Sequence, residues 1–207
     1  MNEGSKPVID YTELANEWVQ RVDAIGLILE AEAADGEKIR ELTGKAMAAL
    51  HGQRLFRMLL AKKAGGEELP LPVFCRVIEA IAKYDGSAAW CVGQGSGCSM
   101  LGGYLDTAIS GKIWGDNANG VLAWGPGKAE AKAVEGGYLV TAKTMFVSGS
   151  HHATWLATHC STVYEQDGTI RMGKGGKPEV RTTFIPASET TLSDKWHVFG
   201  LRNTGSD

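Results

Sequence analysis

Apolar positions fall at helical spacing along the first half of this chain and at strand spacing along the rest. Leu14, Trp18, Val22, Ile25 and Leu29 recur at steps of four and three. That period predicts an amphipathic helix from about Tyr11 to Ala34. Asp35-Gly36 reads as a break. A second helix is then expected from about Glu37 to the early fifties, with Ile39, Leu42, Ala46, Ala49 and Leu50 inward. The run Leu55–Leu60 follows, and Gly65-Gly66 makes a turn. Pro70 and Pro72 suit the start of a third helix, whose apolar face carries Phe74, Val77, Ile78 and Ile81. Asp85-Gly86-Ser87 punctuates the chain again, with Ser87 as a candidate cap for a helix through Ala88-Ala89-Trp90. Glycines at 93, 95, 97, 102 and 103 cost helix stability, so their density there predicts close backbone packing or approach to a ligand. Another short helix is expected from Asp106 to Trp114.

Near residue 120 the texture changes. Lys132–Glu135, Gly136-Gly137 and Tyr138–Val147 read as a β-hairpin. Thr154–Tyr164, Val180–Ile185 and Trp196–Leu201 read as further strands. A helical block followed by an antiparallel block predicts an α+β architecture, with an all-α domain over 1–118 and a small β-barrel or sandwich over 119–207.

Composition narrows the function classes. Of the 207 residues 43% are apolar and 22% charged, and the net charge is -3, which suits a folded domain and not a disordered one. The slightly acidic balance, with basic residues scattered beyond Lys62-Lys63, argues against a nucleic-acid partner. No apolar stretch approaches the roughly 18 residues of a membrane span. The start of the chain, Met1–Asp10, has no apolar core of a secretory signal. Cys75, Cys91, Cys98 and Cys160 form no CxxC pair. Together these point to a reduced cytoplasmic protein.

Few motifs carry chemistry by themselves. Gly93-Gln94-Gly95-Ser96-Gly97 lacks the strand-turn-helix context of a dinucleotide loop. His151-His152 and His159-Cys160 are adjacent pairs that point to opposite faces on a strand, so no metal site is expected. Ser148 lacks the first glycine of a nucleophile elbow. Gln94, Ser96 and Cys98 are small polar groups in an apolar region, suited to touching a substrate. Trp124 lies where an apolar strand end runs into Gly125-Pro126-Gly127. Such a place suits a planar heterocycle, and it suits core packing equally well.

Several segments, read together, resemble one family. Arg54–Leu59 followed by Gly65–Leu69 is similar to an early motif of the acyl-CoA dehydrogenase-like flavin monooxygenases. Ala82-Lys83-Tyr84-Asp85-Gly86-Ser87-Ala88-Ala89-Trp90 resembles their "A-x-x-D-G-S-A-A-W" helix start. Ile113–Asn117, the Gly136-Gly137-Tyr138 hairpin, Phe146-Val147-Ser148-Gly149 with His152-Ala153 and Trp155, and Gly200–Asp207 also correspond, in order. The chain departs from the pattern at Ala142 and Thr144, where the family has Gly and Trp. It departs again at Asn203, in place of the glycine of "G-L-R-G-T-G-S", and at Ala61, where proline is common.

The resemblance implies an N-terminal helical domain, a middle β-domain, a C-terminal four-helix bundle and a homotetramer. The bundle is then missing from this chain, which ends where it is expected to begin. The resemblance also implies a site for reduced FMN or FAD lined by Trp124, Gly125, Phe146, Val147 and Ser148, with the Ser148 hydroxyl beside flavin N5 as the catalytic group. Trp90, Gln94 and Cys98 are the expected substrate contacts. The implied activity is that of the oxygenase component of a two-component monooxygenase. It would hydroxylate an aromatic or related small molecule with O2, its flavin supplied by an NAD(P)H:flavin reductase. Two other readings stand beside it. One is an acyl-CoA dehydrogenase, although Trp124–Gly127 occupies the place of that group's "T-E-P-x-x-G-S-D" run. The other is a catalytically inactive fragment or partner subunit.

Overall fold

The computed structural model describes residues 9–115 and 117–207. The polar start Met1–Val8, and Asp116 of the Ile113–Asn117 motif, lie outside the described residues. Helix α1 spans Thr12–Ile39 and buries Trp18, Val22, Ile25 and Leu29, the stripe that the spacing predicts. The expected break at Asp35-Gly36 is absent, because Gly36 stays helical and buried. A Cβ at Gly36 would lie 2.8 Å from Asn203 Nδ2 and 2.9 Å from the Glu41 carbonyl oxygen. The glycine serves close packing here, not a turn. Ile39, expected inward, is 51% exposed, because it ends α1 instead of starting a second helix.

The chain leaves α1 through Arg40 in the left-handed region. Helix α2 covers Gly44–Gly52, and the Thr43 hydroxyl caps it by accepting from Ala46 N at 3.2 Å. Helix α3, Leu71–Ala82, starts after Pro70 and buries Val73, Val77, Ala80 and Ile81. Helix α4, Gly86–Ser99, is capped by Asp85 and not by Ser87. The Asp85 carboxylate accepts from Ser87 N at 2.7 Å. The short α5, Thr107–Ser110, runs into a wide turn at Gly111–Gly115 that buries Ile113 and Trp114. The main core gathers the apolar faces of α1 to α4 with Leu55, Phe56 and Met58.

Arg57 is buried and pairs with no carboxylate among the described residues. Its guanidinium donates to the carbonyls of Trp114 at 2.6 Å, Asn117 at 2.8 Å, and Ala118 and Gly65, each at 3.1 Å. One rigid five-donor fork thus ties the 55–65 region to the segment that feeds the first strand.

The strands are β1 (Leu122–Trp124), β2 (Gly127–Val134), β3 (Gly137–Thr144), β4 (Trp155–Cys160), β5 (Thr162–Tyr164) and β6 (Arg181–Pro186). They form two three-stranded sheets, ordered β1-β4-β6 and β3-β2-β5. The expected hairpin is present as β2 and β3, with Ala129, Ala131 and Ala133 inward. The α+β architecture is present, but the sheets are not the purely antiparallel ones expected. Both sheets are mixed, since β1 pairs with β4 and β2 with β5 in parallel. No closed barrel exists among the described residues. The reason lies in the path after β3: the turn at Ser150–His152 brings the chain back beside β1 in the same direction. Thr154–Tyr164 divides at Ser161, so β4 joins one sheet and β5 the other. Trp196–Leu201 is irregular instead of a strand. Asp194 and Leu201 have positive φ, and Trp196 Nε1 donates to the Leu201 carbonyl at 3.0 Å, closing a loop.

Candidate functional site

The Phe146–His152 segment and the Asn203–Asp207 segment are laced together. Val147 N donates to the Asp207 carbonyl at 3.1 Å and Gly149 N to the Thr204 carbonyl at 2.7 Å. Ser150 Oγ donates to the Gly205 carbonyl at 2.9 Å. His151 lies between two carboxylates, with Nδ1 2.9 Å from Glu41 Oε2 and Nε2 2.8 Å from Asp207 Oδ2. His152 turns the other way, and its Nε2 accepts from Leu42 N at 3.0 Å. Burial of Asp207 pushes its carboxyl up. Bonds from His151, Lys195 N and Trp196 N outweigh that and hold it below the usual carboxylate range.

Ser148 sits at the front of this lacing, half-buried. The Trp90 indole N–H on α4 donates to Ser148 Oγ at 2.8 Å. Ser148 Oγ lies 2.8 Å from Ser206 Oγ, which lies 2.7 Å from Thr204 Oγ1. Thr204 Oγ1 donates to the Leu201 carbonyl at 2.9 Å. Phe146 is exposed, has a left-handed φ of 56°, and meets the Trp196 ring edge-to-face at 6.4 Å.

The strand end at Trp124-Gly125 presses on the same segment. A Cβ at Gly125 would lie 2.5 Å from Val147 Cγ2 and 2.6 Å from the Met145 carbonyl oxygen, so only glycine permits this approach. Trp124 is partly core, packed with Leu60, Trp114 and Leu122, and its ring lies 5.3 Å from that of His159. Its indole nitrogen is shielded from water and has no partner among the described residues, which is costly unless another group supplies an acceptor.

Helix α4 runs alongside both contacts. Trp90 reaches Ser148 near its start, and Cys98 meets the Trp124 backbone near its end. The two are about 12 Å apart along the helix axis at ~1.5 Å per residue. Gln94 stands between them, half-buried, and a Cβ at Gly97 would meet open space. The structure therefore brings the expected residues into one neighbourhood: Trp124-Gly125 against Val147, Ser148 against Trp90, and Cys98 against Trp124. The Cys98 thiol is pushed up to about 11 by burial, with the Trp124 backbone bond pulling the other way. Burial and the Asp85 charge push Cys91 up to about 12. Neither sulfur is a thiolate at neutral pH.

A cleft of about 570 Å³ opens elsewhere, between β3 and the β4–β6 side, lined by Val140, Ala142, Val147, Leu156, Phe184 and Asp207 among others. Of the expected residues only Val147 lines it. Ser148, its neighbour, faces Trp90 instead, on an open surface.

No protein-family model matches the chain. The oxygenase subunit HsaA of a flavin-dependent monooxygenase from Rhodococcus jostii is 27% identical over 197 residues, 91% of this chain and 47% of that protein. The oxygenase component of an FADH2-dependent resorcinol hydroxylase from Rhizobium is 26% identical over 192 residues, 91% of this chain and 44% of that protein. The structure of XiaF from Streptomyces, in complex with FADH2 and glycerol, superposes with a TM-score of 0.84 at 26% identity. The match covers 94% of this chain and 48% of that one. The chain is thus similar to oxygenase subunits of flavin-dependent monooxygenases and to solved structures of the acyl-CoA dehydrogenase-like oxygenase fold. It spans about half the length of the relatives it matches.

Beside these relatives, the departures from the family pattern acquire structural meaning. Asn203 Nδ2 donates to the Ala33 carbonyl at 3.0 Å and approaches Asp85 Oδ2 at 3.5 Å, linking α1 to the cap of α4. Residue-by-residue reading missed Thr204, Ser206 and Asp207 as site residues. They lie in the Gly200–Asp207 motif, which signals kinship but not the contacts its hydroxyls make.

Two features test whether the residues suit a flavin. Trp124 offers a buried donor without a partner, and Ser148 keeps one lone pair after its two contacts. Both suit the polar edge of a heterocycle.

Proposed function

We propose that this chain supplies the flavin-facing portion of an oxygenase component that takes reduced FMN or FAD, O2 and an aromatic or related small molecule. The observation that carries the reading is Ser148. Trp90 of the helical region and the Asn203–Asp207 segment hold it beside a strand end whose indole donor lacks a partner among the described residues. The relatives' names, which specify flavin-dependent monooxygenase subunits and FADH2, supply the reaction class.

In this reading the helical domain, residues 1–118, and the β-domain, residues 119–207, each contribute one wall. Trp124, Gly125, Phe146, Val147 and Ser148 hold the isoalloxazine, and Ser148 is the catalytic hydroxyl. Trp90, Gln94 and Cys98 present the substrate side of α4. When bound, the flavin supplies the oxygen chemistry, while the protein binds, orients and excludes water. Ser148 makes one hydrogen bond at the ring through its remaining lone pair. Cys98, kept neutral by burial, contributes contact and no charge. The reading includes a separate NAD(P)H:flavin reductase, a homo-oligomer and a cytoplasmic setting. Among the described residues no helix is long and apolar enough to cross a membrane.

Anaerobic titration with reduced FMN and reduced FAD, followed by mixing with oxygen, tests the proposal. Saturable binding, and an absorbance transient that outlives the reaction of free reduced flavin with oxygen, is the expected result. Ser148→Ala should weaken binding or shorten the transient. Failure of both reduced flavins to bind would overturn the reading.

A further inference from the structure

The hydroxyl chain behind Ser148 has only one consistent direction. Its four contacts run from Trp90 Nε1 to Ser148 Oγ, Ser206 Oγ, Thr204 Oγ1 and the Leu201 carbonyl oxygen. One proton is available from each of Trp90, Ser148, Ser206 and Thr204, so there are four protons for four contacts. Both ends are polarised. The indole N–H only donates, and the carbonyl only accepts. Every hydroxyl must therefore donate toward Leu201: Thr204 to the carbonyl, Ser206 to Thr204, Ser148 to Ser206. Reversing any member leaves two oxygens facing each other with no proton between them, next to a buried Thr204 and a buried Ser206. The Leu201 carbonyl also accepts from Thr204 N at 3.2 Å and Trp196 Nε1 at 3.0 Å, which holds it in place as the end of the chain.

The consequence falls on Ser148. Its proton is engaged by Ser206, and one of its lone pairs is engaged by Trp90. What remains toward a ligand is a single lone pair, so Ser148 can accept a hydrogen bond but cannot donate one without breaking the chain. We propose that Ser206 and Thr204 are positioning residues that fix Ser148 as an acceptor, so that the site selects a ligand presenting an N–H over one presenting a bare ring nitrogen. The inference rests on the flavin reading above. Reduced flavin carries a proton at N5, and oxidised flavin carries only a lone pair there. The hydroxyl chain thus becomes a determinant of which redox form is held.

The test compares dissociation constants of oxidised and reduced FMN and FAD for the full chain and two variants, under anaerobic conditions. The midpoint potential of the bound flavin is measured in parallel. Ser206→Ala removes the acceptor of the Ser148 proton and frees it to point at the ligand. Thr204→Val, nearly isosteric, removes the acceptor of the Ser206 proton, which frees Ser206 to donate to Ser148 instead, and serves if Ser206→Ala does not fold. The wild-type chain should hold the reduced form more tightly. Either variant should lower that preference by roughly three- to tenfold, the range expected for one hydrogen bond. A tenfold change corresponds to a fall of about 30 mV in the bound two-electron potential. A wild-type chain that binds both forms equally, or variants that bind flavin with the wild-type preference and potential, would overturn the proposal and leave the flavin site standing. Absence of binding by both redox forms would overturn both.

Discussion

His152 is a buried base whose protonation breaks a contact that the fold uses. Its Nε2 accepts from Leu42 N at 3.0 Å, and a ring nitrogen accepts only when unprotonated. The folded protein therefore holds a neutral ring with its proton on Nδ1. Burial is the main cause that lowers its pKa, followed by the charges of His151 and His51, and it is pushed down to about 4 from the ordinary 6.5. The unfolded chain takes up the proton near pH 6.5, and the folded protein takes it up only near pH 4. Between those values the unfolded state binds more protons, so the contribution is complete above 6.5 and drains away as the pH falls toward 4. The slope approaches about 1.4 kcal/mol per pH unit, and the loss from pH 7 to pH 5 comes to about 2 kcal/mol. Urea denaturation at the two pH values measures it. His152→Gln keeps an acceptor for the Leu42 amide but cannot titrate, so other ionising groups cancel in the comparison. The variant should lose about 2 kcal/mol less stability than the wild type over this interval. Equal losses would show that His152 is not the group that titrates.

Two further perturbations separate framework from site. Arg57→Met strips the carbonyls of Trp114, Asn117 and Ala118 of their charged donor, while that of Gly65 keeps Arg54, and should cost about 3–5 kcal/mol in urea denaturation, less than the sum of the separate bonds because they share one group. A cost below ~1 kcal/mol would mean that water or a local shift satisfies those carbonyls. Gly125→Ala places a Cβ 2.5 Å from Val147 Cγ2, which forces the 145–148 segment to move. Reduced-flavin binding should weaken about tenfold, equivalent to ~1.4 kcal/mol, while the helical circular dichroism stays unchanged. Unaltered affinity would place the flavin away from this strand end.

The sequence by itself determined the local elements whose physics is short-range. The Trp18, Val22, Ile25, Leu29 stripe specifies α1, the prolines at 70 and 72 start α3, and Gly136-Gly137 turns β2 into β3. Ordered motifs also carried the kinship and the neighbourhood of Trp124, Ser148 and Trp90. Tertiary structure decided what depends on partners distant in the chain. Gly36 remains helical because Asn203 packs against it, although Asp-Gly taken locally reads as a turn. Asp85, not Ser87, caps α4, since both are competent caps and only the chain path selects one. Parallel pairing of β1 with β4 follows from the return path after Ser148, which alternation of apolar residues does not encode. The direction of the hydroxyl chain is the furthest of these from the sequence. Thr204, Ser206, Ser148 and Trp90 are individually ordinary polar or amphipathic residues. They acquire one-way order only when folding places an obligatory donor at one end and a carbonyl at the other.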